Sequence, residues 1–261
     1  MPTFGLIADT PQVADAYRRA ITGNVALASA PLVEAVDGQC VHELAQALDA
    51  EGLADYLLPA IDRLQRKGAS LVALTSVTAH LAHRLLRERA ELPIIDVSDA
   101  VLKATVSRRD RAIFLLGSNP TMRQRFLKTP IILSHIAVIT PNSEGKDWLG
   151  DIIRHELKGG DVTPETVRGF QDMVEKGRDE GAQSVVLASS DLCLLAQGRK
   201  LALPIVSSID AHARAIASAL MGDSRDASLA WAASLARAFL SHEGQIGPTS
   251  VRRPPDIAAP A

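Results

Sequence analysis

Gly68-Ala-Ser-Leu-Val-Ala-Leu-Thr-Ser-Val-Thr-Ala-His-Leu81 has a second copy in the same chain, Gly181-Ala-Gln-Ser-Val-Val-Leu-Ala-Ser-Ser-Asp-Leu-Cys-Leu194. Both begin Gly-Ala, pass through a short apolar run, reach a serine (Ser76, Ser189) and continue into a helical pattern, at a constant offset of 113 residues. So long a period fits no solenoid and points to two related halves. The duplication extends outward. Phe170 and Val174 match Leu57 and Ile61 upstream, and Leu203-Pro-Ile-Val206 answers Leu92-Pro-Ile-Ile95 downstream. Asp210-Ala211 answers Asp99-Ala100.

Around the repeats, short apolar runs alternate with helical periodicity. Phe4–Ala8 reads as a strand, and Thr10 with Pro11 starts a helix through Ile21. A second strand is expected around Leu32–Val36, and Asp37-Gly38 reads as a turn. Leu53, Leu57, Ile61 and Leu64 space out a helix that Gly68 ends. Strand Leu71–Leu74, a loop Thr75–Thr78 and a helix His80–Arg89 with Leu81 and Leu85 inward follow, then a strand at Leu92–Ile95. The second half reads as strand Ala112–Leu116, helix Thr121–Leu127, strand Ile131–Val138 and helix Trp148–Leu157, which Lys158-Gly-Gly160 ends. Thr163-Pro164 caps the next helix; strand Ser184–Leu187 and another helix complete the second repeat.

This alternation predicts right-handed βαβ crossovers and an α/β fold of two similar doubly wound parallel-sheet domains, related by a pseudo-twofold. The expected boundaries are 1–107, joined by C-terminal helices at about 208–242, for the first domain and 108–207 for the second. A Pro- and Ala-rich tail over 243–261 is expected to be disordered. An amphipathic helix over 227–240 fits packing on its own domain or a dimer interface.

Lys and Arg number 28 against 30 Asp and Glu, a net charge of −2, with no basic stripe interleaved with aromatics. Nucleic acid is therefore not an expected partner. No apolar run of transmembrane length and no signal-peptide pattern at the start is present, so membrane association is not expected and the cytoplasm is the expected location. Cys40 and Cys193 form no disulfide framework.

Parallel α/β sheets bind ligands beyond the carboxyl ends of their strands, where Ser76 and Ser189 both lie. Thr75, Ser76 and Thr78 in one loop, and Ser189 and Ser190 in the other, put hydroxyls at helix N-termini. Such ends attract anions, although Ser and Thr are also ordinary caps. Gly117–Met122 is a third loop of this kind, and three around one cleft suit a small carboxylate. His80 beside Ser76, with Asp9 or Asp191 near, could form a Ser–His–carboxylate set, or His80 could simply order the loop. Cys193 reads as a buried small apolar residue, and His80 with His83 lacks a third metal ligand.

The chain resembles the cofactor-independent aspartate/glutamate racemase superfamily. Ser76-Val77-Thr78-Ala79-His80 is similar to that family's Cys-Asn-Thr-Ala-His, and Ala188-Ser189-Ser190-Asp191-Leu192 to its Gly-Cys-Thr-Glu-Leu. Leu116-Gly117-Ser118-Asn-Pro-Thr121-Met122 resembles Leu-Gly-Thr-x-x-Thr-Met, and Asp9-Thr10 the first-loop Asp-Ser. Ile152-Ile153-Arg-His-Glu156-Leu157-Lys-Gly-Gly fits the aspartate racemase pattern. The resemblance implies catalytic positions at Ser76, Ser189, His80 and Asp191. It implies substrate contacts from Asp9, Thr10, Val77, Thr78, Gly117, Ser118, Thr121 and Ser190. It also implies a small carboxylate or amino acid as ligand, no cofactor, no metal and a homodimer.

The family moves an α-proton between two cysteine thiols, and the resemblance puts Ser76 and Ser189 in their places. A free thiol titrates near 8.5 and an alcohol more like water, near 15.7; the gap of about 7 units corresponds to roughly 10 kcal/mol in generating the base. Environments commonly shift a pKa by about 2–5 units, which does not close that gap. Val77 also stands where the family has a polar Asn. Two-thiol racemisation is therefore not expected. Three readings follow: an isomerase or lyase of altered chemistry (a serine-based hydrolase or lyase among them), a small-acid-binding or regulatory homologue without catalysis, or a racemase inactivated by substitution.

Overall fold

A computed structural model describes residues 3–27 and 29–222. The helix expected over 227–240 and the tail over 243–261 lie outside the described residues.

Two four-stranded, all-parallel sheets carry the chain. In the first, β1 (Phe4–Ala8), β2 (Leu32–Ala35), β3 (Leu71–Leu74) and β4 (Ile94–Ile95) lie in the order β2-β1-β3-β4. In the second, β5 (Ala112–Gly117), β6 (Ala137–Ile139), β7 (Ser184–Ala188) and β8 (Ile205–Ser207) repeat it as β6-β5-β7-β8. Central strands β1, β3, β5 and β7 are apolar and buried over nearly their full length, as strands covered on both faces must be. The repeat seen in sequence is this topology. Its glycines Gly68 and Gly181 both take a left-handed φ, +91° and +97°, closing the helix before β3 and the helix before β7.

On one face of the first sheet lie α2 (Gly38–Gln46), α3 (Ala50–Arg66) and α4 (His83–Arg89). Leu53, Leu57, Ile61 and Leu64 of α3 are fully buried there against Val72 and Leu74. Each such side chain contributes about 1.5–3 kcal/mol by leaving water. On the other face, α1 (Pro11–Thr22) and α11 (Ser208–Leu220) pack Val13, Tyr17, Ile21, Ile209 and Ile216 against Phe4, Leu6 and Ala73. The chain thus returns from the second sheet to finish the first half. α5 (Val97–Ser107) connects the halves. The second sheet is covered by α8 (Ser143–Ile152), α9 (Pro164–Asp179) and α10 (Ser190–Ala196), through Leu149, Phe170, Val174 and Leu192. Thr10 caps α1, accepting from Val13 N at 3.3 Å, and Thr163 caps α9.

Four local readings change. Asp37-Gly38 is a helix start: the Asp37 carboxylate accepts from Gln39 N at 2.8 Å and begins α2. The segment expected as helix His80–Arg89 opens as a 3-10 turn, Thr78–Ala82, and becomes α-helical only from His83, with Leu85 and Leu86 buried and Leu81 partly so. α6 (Asn119–Arg123) is shorter than the expected Thr121–Leu127. Ile131–Val138 splits into α7 (Lys128–Leu133) and β6; the break is His135, which adopts a left-handed φ of +61° that neither element accommodates. A short apolar run such as Ile131-Ile-Leu133 does not distinguish strand from helix by periodicity.

Candidate functional site

In each sheet the strand order reverses direction between two adjacent central strands, β1 and β3 or β5 and β7. Loops leaving these two strands diverge to opposite faces and open a crevice at their carboxyl ends. Asp9 and Thr10 follow β1, Ser76 follows β3, Ser118 follows β5 and Ser189 follows β7. The four loops come together.

The contacts between them are hydroxyl-based and buried. Ser190 Oγ donates to the carbonyl of Thr75 at 2.7 Å, so the residue after Ser189 grips the residue before Ser76. Thr78 Oγ1 lies 2.8 Å from Ser118 Oγ and 3.2 Å from Thr121 Oγ1, and the last two are 2.9 Å apart. Three hydroxyls in a ring can each donate once and accept once, which satisfies all of them without water. Gly117 lets the ends of β5 and β7 approach, since a Cβ there would lie 2.8 Å from the Ala188 carbonyl. Val77 is buried.

Ser76 is half-buried and lines a cavity of about 10 Å³ with Asp9, Gly38, Val41 and Leu74 among its walls, room for about one water. Ser189 makes no capping hydrogen bond of its own; its Oγ instead faces Asp191 Oδ2 at 3.5 Å. The helices after Ser76, Ser118 and Ser189 span only five to seven residues. Their aligned peptide dipoles are few, so the positive field expected at these ends is weak.

A cation also stands among these loops. Lys158 follows a π-helical turn, Ile153–Leu157, and its Nζ reaches across to Asp9 Oδ2 at 3.2 Å. Gly38 makes room for it: a Cβ there would lie 2.4 Å from Nζ and 2.7 Å from the Asp9 carboxylate. Read in sequence, Lys158-Gly-Gly160 only terminates a helix and Asp37-Gly38 only turns the chain. Lys158 lies about 150 residues from Asp9 in the chain, and no local pattern announces their pairing.

Burial, assisted by the charge of Asp9 and opposed by that of Lys158, pushes the Asp191 carboxyl up to about 6. His80 is turned away from this group. Its Nδ1 lies 3.0 Å from the Ser76 carbonyl and its Nε2 3.4 Å from the Ile95 carbonyl. Burial holds it below the ordinary histidine range. His212 Nε2 donates to the same Ile95 carbonyl at 2.9 Å, which leaves Nδ1 to accept from the Tyr17 hydroxyl at 3.1 Å. Burial lowers His212 to about 3, so the neutral tautomer is the one this geometry fixes. His83 pairs with Asp96 at 3.1 Å. Cys193 is partly buried between two core clusters, its Sγ donating to the Leu187 carbonyl at 3.4 Å, and burial raises its thiol. Among the described residues, no group of three or more His, Cys, Asp or Glu side chains is placed to hold a metal ion. Among the same residues no helix is long and apolar enough to cross a membrane.

Two four-stranded parallel sheets with flanking helices, their switch-point loops meeting at one polar seam, define an α/β protein. The chain belongs to the Asp/Glu/Hydantoin racemase family, whose model matches residues 4–216. Solved structures with the same fold include a candidate Asp/Glu racemase from Yersinia pestis, 22% identical over 85% of this chain and 100% of that one, with a TM-score of 0.70. An aspartate racemase homologue from Pyrococcus horikoshii is 24% identical over 85% and 100%, with a TM-score of 0.66. Picrophilus torridus aspartate racemase is 14% identical over 85% and 95%, with a TM-score of 0.70. At these identities the likeness speaks for the fold.

Proposed function

We propose that the protein binds a small carboxylic or amino acid where the loops after β1, β3, β5 and β7 meet, and that it does not racemise by a two-thiol route. The observation that carries the reading is Lys158, a cation held at the seam between the halves by its ion pair with Asp9. A ligand carboxylate competes for that ammonium and meets the hydroxyls of Ser76 and Ser189 on either side. Thr10, Val77, Thr78, Gly117, Ser118, Thr121 and Ser190 shape the walls. If protons move, Asp191 moves them, because its affinity for a proton lies close to neutrality whereas that of an alcohol is far above it. The resemblance supports the placing of Ser76 and Ser189 at the family's cysteine positions. It also supports a homodimer; the strand–helix order supports two lobes, 1–107 with α11 and 108–207, the two cysteines without a disulfide framework support a cytoplasmic location, and no cofactor enters this reading.

A catalytically silent binding protein is the second reading, favoured by the two serines themselves. Thermal unfolding with aspartate, glutamate and simple dicarboxylates tests the shared claim. Both readings expect stabilisation by at least one of these acids and its loss in Lys158→Ala. Stabilisation that survives in Lys158→Ala, or none with any acid, contradicts them.

A further inference from the structure

Lys158 bridges to Asp9 at 3.2 Å, and the charges of Lys158 and Asp9 both act on the Asp191 carboxyl. The three charges sum to −1 when both carboxyls are ionised. The space beside Ser76, about 10 Å³, admits about one water, so a ligand carboxylate enters only as the Lys158–Asp9 bridge parts or widens. Its charge then brings three carboxylates around one ammonium, in a place where Ser189 is buried and Asp191 half-buried. Carboxyl groups that share a site cannot all ionise.

We propose that, at the site just described, a carboxylate ligand lacking an ammonium group binds together with one proton, which settles on Asp191. The inference rests on the carboxylate-binding reading and adds the proton. It also names a discrimination: an amino acid carries its own ammonium, which supplies the missing positive charge and removes the need for the proton.

Other groups near Asp191 do not take the proton in its place. The π-helical turn before Lys158 also carries Arg154, which pairs with Asp151, Glu156, which accepts from Thr166, and His155, which is exposed to solvent. His42 on α2 is held below its ordinary range by burial and by the charges of Arg154 and Lys158. On α1, burial keeps the Tyr17 phenol protonated. On α11, His212 is engaged through both nitrogens, and Asp210, in the first turn, is itself exposed to solvent. Asp9 is the other candidate, and its variant separates the two.

The test is calorimetric titration of the full chain with succinate and with L-aspartate at pH 7, each in two buffers of different ionisation enthalpy. Free Asp191, titrating at about 6, is about one-tenth protonated at pH 7. Succinate is therefore expected to take up about 0.5–0.9 proton per site, aspartate markedly less. Succinate affinity is expected to fall up to about tenfold per pH unit above neutrality. Asp191→Asn should bind succinate without uptake, while Asp9→Asn should retain part of it. Succinate binding with no proton uptake overturns this inference and leaves the carboxylate reading standing. Uptake that persists in Asp191→Asn overturns the assignment to Asp191. No heat with any acid overturns the carboxylate reading and this inference with it.

Discussion

Replacing Asp191 by Asn should stabilise the protein, and by an amount set by pH. In the fold this carboxyl titrates at about 6; in an unfolded chain it returns to 3.8. The folded state therefore holds the proton more tightly, and folding stability falls as pH rises between these values. At pH 4.5 the ionised form costs about 1 kcal/mol, and by pH 7.5 about 3 kcal/mol. The neutral amide of the variant carries no such cost. The stability difference between Asp191→Asn and the parent should grow in favour of the variant by about 2 kcal/mol from pH 4.5 to pH 7.5. Urea unfolding at five or six pH values, with equal slopes for the two proteins, measures it. A difference that is flat with pH would refute the reasoning, because Asp191 would then titrate alike in both states. A stability penalty of this size at neutral pH is what a carboxyl kept for chemistry, not for packing, should show.

His212 acts with the opposite sign: burial lowers it to about 3 from 6.5, so it withdraws stability as pH falls below 6.5, by up to about 1.4 kcal/mol per unit. His212→Gln should flatten that acid limb in the same unfolding series. Ser190→Ala removes the hydroxyl that meets the Thr75 carbonyl at 2.7 Å and should cost about 1–3 kcal/mol. Its amide hydrogen exchange should rise first around residues 75–80. Gly38→Ala should drive Lys158 off Asp9, because the new Cβ and the ammonium claim the same space; a crystal structure of the variant with the ion pair intact would contradict this. Phe170→Ala in the second core should cost about 3–5 kcal/mol by denaturant unfolding.

The repeated strand–loop–helix was readable because its determinants are local. Gly68 and Gly181 stop helices in a left-handed conformation that glycine holds cheaply, and Leu71–Leu74 and Ser184–Leu187 are short apolar runs bounded by a glycine stop on one side and a hydroxyl-bearing loop on the other, the setting of a buried strand. From those the parallel order followed. Local ambiguity produced the errors. Asp37-Gly38 serves a turn and a helix start equally well, and Ile131-Ile-Leu133 fits either periodicity. Ser76, Ser118 and Ser189 were found as loop residues at strand ends. Lys158, Tyr17 and His212 were not, because their roles arise only when elements up to about 195 residues apart meet. The shortness of the helices after the serines was also hidden, as was the lysine that pairs with Asp9 beside them.

The central claim is tested most directly by proton exchange and enantiomer analysis of L- and D-aspartate and L- and D-glutamate in D2O, followed by NMR and chiral chromatography. These acids are expected to bind, and no opposite enantiomer is expected to form. Racemisation that Ser76→Ala or Ser189→Ala abolishes would contradict the claim, for it would mean that two alcohols do the work of two thiols.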